Sequence, residues 1–340
     1  TCHGSDKKGE LDLRSRETAH AGGESGSILT PGNPEESLLY EHVVSGAMPP
    51  EKPLEADEIE LLRRWIEAGA YYPDQPIDPL AYSSSKRAGY DWWSLQPLHP
   101  VQPRKESATS DTKIPTAWQQ SQIDQFVYHR LRQAGLSPSS PASPTTLLRR
   151  ATYDLTGLPP TPEQRATFLA ACRQETGREG EVGELAYAQL IDQLLATPRY
   201  GERWGRHWLD VVRFAESRGF ERNQIINNLW PFRDYVIRSF NEDKPFDRLG
   251  REHLSGDTIG PGDPMIEVAT AFLSCGPYDD VSNQDPVRAA QIRADVVDEI
   301  IRTTGESFLG LTVGCSRCHD HKFDPISQKD YYQFYAIFSG

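Results

Sequence analysis

The chain has 340 residues, 37% hydrophobic and 10% aromatic, a length for which two domains are expected and a composition that excludes a disordered chain. Its formal net charge of -13 excludes a nucleic-acid binder that relies on phosphate contacts. No stretch approaches the roughly 20 apolar residues that cross a bilayer, so the sequence predicts no transmembrane segment.

Residues 1–75 have the pattern of a small helical domain. Asn33 followed by Pro34 is a typical helix start, and Met48-Pro49-Pro50 ends that helix. A second helix is predicted from about Glu55 to Gly69. Its apolar face consists of Ile59, Leu62, Trp65 and Ile66.

The rest of the chain divides by composition. Residues 76–122 are rich in Pro and Ser and predict a linker or extended arm. Residues 123–340 show helical periodicity, and strand-like alternation there is short and rare. The predicted fold class is therefore mostly α, with a small helical domain joined by a Pro-rich linker to a larger all-α domain.

The sharpest chemical signal is a CxxCH motif, Cys315 to His319. Two thiols at this spacing can each add to a vinyl group of haem, and the adjacent histidine then becomes the proximal iron ligand. Zinc is the competing interpretation, since Cys315, Cys318, His319 and His321 supply four suitable ligands. A thioredoxin-like thiol pair ranks third, because no βαβ pattern surrounds the motif.

A second, weaker signal lies at the start of the chain. Cys2-His3 matches the end of a CxxCH whose first cysteine would precede residue 1. Met48 stands in a Pro-rich loop where a small cytochrome c presents its distal methionine. The sequence therefore predicts Cys2 as a thioether, His3 and Met48 as axial ligands, and the Trp65 helix as a wall of the haem pocket.

Four blocks carry a resemblance to a known family: Arg199–Asp210, Phe308–Gly314, Cys318–Ile326 and Asp330-Tyr331-Tyr332. The chain resembles the planctomycete-type cytochrome c proteins, with residues 1–75 similar to the cytochrome c module and residues 123–340 similar to the domain of unknown function that follows it. The resemblance implies an exported, haem-bearing protein, periplasmic or at the cell surface, with a further C-terminal domain. We expect the chain to be an excised fragment, with any export signal outside it.

The distal ligand of the second haem is not given by the resemblance. His207 is the candidate, since Trp204 and Trp208 on the same helix could wall a porphyrin; a hydrogen-bonded core histidine is the equally weighted alternative. Cys172 and Cys275 stand alone and read as buried thiols or as a disulfide pair.

The leading functional hypothesis is an electron-transfer protein with two c-type haems, serving a redox partner protein or a small electron donor or acceptor. One alternative is a haem-dependent oxidoreductase whose second haem keeps an open position. The other is a zinc-stapled, non-redox binding module of an exported complex. No catalytic residue is assigned.

Overall fold

A computed structural model describes residues 3, 7–50, 53–72, 77–78, 80–84, 87–101, 118, 121–219, 223–279 and 285–339. Within these ranges the chain forms thirteen α-helices and no β-strand, with two isolated β-bridges. The predicted mostly-α fold class is thus confirmed. No helix in the described ranges combines the length and the apolar character that a membrane span requires.

The helices follow one another in chain order, and several short 3-10 turns connect them. They are α1 (Arg16–Ala21), α2 (Leu38–Val44), α3 (Ala56–Glu67), α4 (Gln122–Gln133), α5 (Pro144–Thr156), α6 (Pro162–Thr176), α7 (Glu184–Leu195), α8 (Pro198–Val211), α9 (Trp230–Asn241), α10 (Phe246–Ile259), α11 (Pro264–Glu267), α12 (Pro286–Thr304) and α13 (Gln328–Phe338).

Local sequence fixes many of these boundaries. Ser143 caps α5 by accepting a hydrogen bond from the Thr146 N–H. Thr161 and Gln164 form a capping box at the start of α6. Gly157 ends α5 with a φ of 73°, a left-handed conformation that glycine adopts without a steric penalty.

Two compact units make up the chain. The first contains residues 1–96 and the short segment Lys322–Pro325, and the second contains residues 97–321 and 326–340. Residues 80–84 and 87–96 of the predicted linker therefore belong to the first unit, where Ala88 N–H donates to the Phe323 carbonyl at 2.8 Å. The three domain ranges predicted from the sequence, 1–75, 76–122 and 123–340, differ from these two units and remain a prediction.

The first unit packs α1 to α3 around a small apolar core. Helix α3 occupies the predicted position, and a capping box between Glu55 and Glu58 starts it. The predicted start at Asn33 and Pro34 opens a 3-10 turn, Pro34–Glu36, and α2 begins only at Leu38. The core side chains are Leu11, Ala19, Ile28, Leu29, Ile66, Ala70 and Tyr72.

The described residues of the second unit form three core clusters. One is formed by α5, α6 and α7, a second by α8 to α10 with residues 268–274, and a third by α12, α13 and the segment between them. Cys172 lies in the first cluster and Cys275 in the second, and both are buried free thiols. Because both lie in apolar clusters, these cysteines act as core side chains. Burial raises the pKa of the Cys275 thiol to about 12.

Helices α8 and α9 pack at close range because α8 presents two buried glycines, Gly201 and Gly205. A β-carbon on Gly201 would come within 2.3 Å of the Ile237 carbonyl oxygen. Gly201 N–H also donates to the Asn241 side-chain oxygen at 2.8 Å. The glycines of the Arg199–Asp210 block thus have a packing role.

Candidate functional site

A cavity of about 150 Å³ lies in the first unit, and His3 and Met48 both line it. His42 is a third lining side chain able to bind a metal. A histidine and a methionine at one cavity are the two donor types that a His/Met cytochrome c offers to iron, so the chemistry of this donor set fits haem iron. The apolar side chains of the lining are Leu11, Ile28, Leu38 and Leu39.

The ring of His3 is oriented by its Nδ1, which donates to the Lys8 carbonyl at 2.8 Å. Because a carbonyl oxygen only accepts, Nδ1 carries the proton and Nε2 is the nitrogen available to a metal. The His3 carbonyl in turn accepts a hydrogen bond from Leu13 N–H at 2.8 Å. Cys2, the predicted thioether, lies outside the described residues.

Met48 reaches the cavity from the loop after α2. Its N–H donates to the His42 carbonyl at 3.0 Å, which ties this loop to the helix. Sequence reasoning missed His42 as a lining residue. Its position four residues after Leu38 was the available signal, because residues i and i+4 share a helix face.

Trp65 is not among the described lining residues of this cavity. Its indole Nε1 donates to the Tyr71 carbonyl at 3.0 Å, and its ring lies edge-on to Tyr72 with centroids 5.4 Å apart. Trp65 therefore packs against the core of the first unit, where its polar N–H finds a partner.

The CxxCH motif begins on a short 3-10 helix, Val313–Arg317, in the second unit. Cys315 and Cys318 are exposed free thiols, and His319 is exposed as well. Ser316 between them is completely buried. The three groups that a c-type haem requires thus lie at the surface of a turn that is anchored in the protein.

Arg317, the second variable residue of the motif, supplies much of this anchoring. Its Nη2 donates to Asp295 Oδ1 at 2.8 Å and its Nη1 lies 3.4 Å from Asp298 Oδ2. The buried Asp298 carboxylate also accepts hydrogen bonds from Arg302 Nε at 2.7 Å and from the Tyr331 hydroxyl at 2.6 Å. Burial, reinforced by the Asp298 hydrogen bond, raises the pKa of Tyr331, so the phenol stays a donor.

His319 and His321 have different surroundings. His319 Nδ1 donates to the Asp320 carbonyl at 2.8 Å, which again leaves Nε2 available to a metal. His321 is buried, with its Nε2 2.9 Å from the Thr312 hydroxyl. Nowhere in the described ranges do three His, Cys, Asp or Glu side chains gather so that they could hold a metal ion. The four candidate zinc ligands are therefore not assembled in this arrangement.

His207 is exposed on α8, its ring centroid 5.4 Å from that of Trp204. Helix α8 packs mainly against α5, α7 and α9, whereas residues 313–317 pack against α12 and α13. The neighbouring Trp208 points into the core and donates from Nε1 to His253 Nε2 at 3.0 Å. These helix contacts do not bring His207 to the CxxCH motif, and its role as a distal ligand stays a prediction.

Two family models match the chain. One, described as a protein of unknown function (DUF1549), matches residues 122–340. The other, described as planctomycete cytochrome C, matches residues 1–52. No curated protein and no solved structure gave a match. The matches confirm the resemblance stated from the sequence, including its order of a cytochrome c segment followed by a domain of unknown function.

Proposed function

Because the chain belongs to the DUF1549 family and carries a planctomycete cytochrome C segment before that domain, we propose that it is an exported c-type cytochrome that transfers electrons between redox partners. It carries two covalent haems, one in each unit. Its partners are a redox protein or a small electron donor or acceptor.

One observation carries this proposal: the two predicted proximal histidines have the same local arrangement. His3 and His319 each donate from Nδ1 to a backbone carbonyl at 2.8 Å. Metal-binding histidines characteristically use one ring N–H in this way, which fixes the tautomer and orients the other nitrogen toward the metal. The two histidines share this hydrogen bond and each directly follows a cysteine, which supports two haem sites.

The residues divide between the two sites. In the first unit, Cys2 provides a thioether, and His3 and Met48 provide the axial ligands. In the second unit, Cys315 and Cys318 provide the thioethers and His319 the proximal ligand. Haem iron supplies a one-electron redox centre when bound, and the protein orients the ligands and, at the first site, lines the cavity with apolar side chains.

The test is a haem count on protein matured in a cell that attaches c-type haem. Pyridine haemochrome spectra should give two haems per chain. After acid–acetone extraction, mass spectrometry should find the haem mass retained on a peptide spanning 315–319. A Cys315→Ala, Cys318→Ala double variant should lose that haem alone, whereas Cys172→Ala, at a buried core thiol, should keep both.

Two results would oppose the proposal. A 315–319 peptide free of haem, with zinc bound to the protein, would mean that the motif holds a structural zinc ion and no second haem. A single haem, retained only on the 315–319 peptide, would mean that the first unit binds no haem.

His207 is the proposed distal ligand of the second haem. On this assignment the iron is six-coordinate and low-spin, and His207→Ala should turn it high-spin and open to small ligands. An unchanged spin state in His207→Ala would exclude His207 as a ligand.

A further inference from the structure

The cavity of the first unit has two side chains besides His3 that are of the kinds that hold haem iron in proteins. They are Met48, the proposed axial ligand, and His42, to which the proposed function assigns no role. The other polar side chains of the described lining, Glu24 and Ser25, belong to neither kind. The cavity therefore offers three axial donors, one more than a haem iron binds.

His42 faces this cavity because of its place on α2. Leu38 and Leu39, four and three residues before it, line the same cavity, as expected of residues that share a helix face. The helix is packed in the first unit, since Leu39 N–H donates to the Ile28 carbonyl at 3.0 Å and Val43 is buried. The backbone of His42 thus belongs to a well-anchored element.

The ring of His42 has no partner among the described residues: no hydrogen bond, ion pair or ring contact there involves this side chain. Its carbonyl, not its ring, accepts from Met48 N–H at 3.0 Å and from the Ser45 hydroxyl at 3.3 Å. His3, by contrast, uses its Nδ1 in a bond to the Lys8 carbonyl. A permanent metal ligand normally has such a bond, so His3 has the features of a permanent ligand and His42 those of an occasional one.

Met48 is held less firmly than His42. It lies in the loop after α2, where Val44, Ser45 and Ala47 are exposed, and its own side chain is exposed as well. The bond from Met48 N–H ties this loop to the helix, but an exposed loop with few buried contacts opens more readily than a packed helix. Opening of the loop would take the Met48 sulfur out of the cavity and leave His42 there.

We propose that His42 is a reserve axial ligand of the first haem, which binds the iron when Met48 leaves it. The inference rests on the haem proposed above for the first unit. In the exchange the bond from the Met48 sulfur to iron breaks and a bond from a ring nitrogen of neutral His42 forms, with no transfer of a proton or an electron. Because a thioether ligand raises the reduction potential, its replacement by imidazole lowers the potential and favours ferric iron.

The test uses the full chain with Cys315→Ala and Cys318→Ala, matured in a cell that attaches c-type haem, so that the haem observed is that of the first unit. In this background Met48→Ala should keep the ferric iron six-coordinate and low-spin in electron paramagnetic resonance, because His42 takes the free position. Adding His42→Ala should turn the same iron high-spin. His42→Ala alone should keep the sulfur–iron charge-transfer band, because Met48 is the usual ligand.

Imidazole binding measures the size of the effect. Added imidazole must displace His42 in Met48→Ala but finds an open position when His42→Ala is added. We expect the apparent affinity to be at least about tenfold weaker in Met48→Ala, because a position that is open only about one-tenth of the time weakens binding by that factor.

The matched control is His20→Ala combined with Met48→Ala. His20 is a histidine of the first unit that is half-buried like His42, and it is not among the described lining residues of the cavity. This control should stay low-spin and should bind imidazole as weakly as Met48→Ala does.

Haem content separates failure of this inference from failure of the proposed function. With haem present in the first unit, high-spin iron in Met48→Ala, or low-spin iron that persists after His42→Ala is added, would overturn the role of His42 alone. Absence of haem from the first unit, counted by pyridine haemochrome spectra, would overturn the proposed function of that unit and this inference with it.

Discussion

Tyr331 on α13 donates its hydroxyl at 2.6 Å to Asp298 on α12, and both side chains are buried. The same carboxylate contacts Arg317 inside the CxxCH motif. The phenol therefore helps to hold the charge that positions the motif. Tyr331→Phe should lower the free energy of unfolding by about 2 kcal/mol, because a buried hydrogen bond to a charged group is lost. Urea denaturation measures this change.

Tyr332→Phe is the matched control on the same helix. Its hydroxyl donates to the Arg317 carbonyl at 3.2 Å, but the side chain is half exposed. Water can replace that bond, so the loss should stay below about 0.5 kcal/mol. Equal losses of unfolding free energy in the two variants would mean that the hydrogen bond from Tyr331 to Asp298 adds no stability beyond that of an exposed one.

Gly201→Ala and Gly205→Ala test the close packing of α8 on α9. A β-carbon at Gly201 would lie 2.3 Å from the Ile237 carbonyl oxygen, whereas one at Gly205 would lie 3.3 Å from the Ile237 side chain. Alanine gains about 1 kcal/mol of helix propensity over glycine. Gly201→Ala should nevertheless destabilise by at least about 2 kcal/mol, since backbone must move, and Gly205→Ala should change stability by less than about 1 kcal/mol. Thermal unfolding measures both changes. A larger loss of stability in Gly205→Ala than in Gly201→Ala would contradict this prediction.

His253 predicts a pH dependence of stability. The ring is completely buried among aromatic side chains. Burial lowers its pKa from 6.5 to about 4, against opposing effects of the Leu249 carbonyl and Glu252. Between these two values the unfolded chain binds a proton that the folded chain does not. Stability should therefore rise from pH 4 to pH 6.5, with about 3 kcal/mol from this residue.

The His253 contribution is isolated by comparing variants. His253→Gln should flatten the rise relative to the unmodified protein, measured by urea unfolding at several pH values. His99→Gln, at an exposed position, should keep the full slope. A His253→Gln slope equal to that of the unmodified protein would assign the pH dependence to other groups.

Met48 and Met265 form a natural pair for testing the first haem, because both are 39% exposed. Met48→Leu should abolish the sulfur–iron charge-transfer band and lower the reduction potential, since a thioether ligand favours ferrous iron. Met265→Leu should change neither property. Identical spectra and potentials for the two variants would make Met48 a loop residue with no contact to iron.

Local signals were enough to predict α3 and the end of α5 at Gly157, because caps and periodicity act within a few residues. The helix predicted to start at Asn33 begins later, at Leu38, since Asn33 and Pro34 start a 3-10 turn and α2 follows it. The surroundings of CxxCH were not predictable. Asp298 stands in a charged run that resembles a solvated helix face, and its burial depends on Tyr331, 33 residues further along the chain.

Helix α12 serves two places at once. Arg293 and Val296 line a cavity of about 610 Å³ in the second unit, whereas Asp295 and Asp298 contact Arg317 of the CxxCH motif. The second pair follows the first by two residues, which is about 200° around a helix, so the pairs lie on nearly opposite sides. Deleting one residue between Arg293 and Asp298 would turn the two parts of the helix by about 100° against each other. Such a deletion could not keep both sets of contacts, whereas a change of length at either end of the helix would leave their register intact.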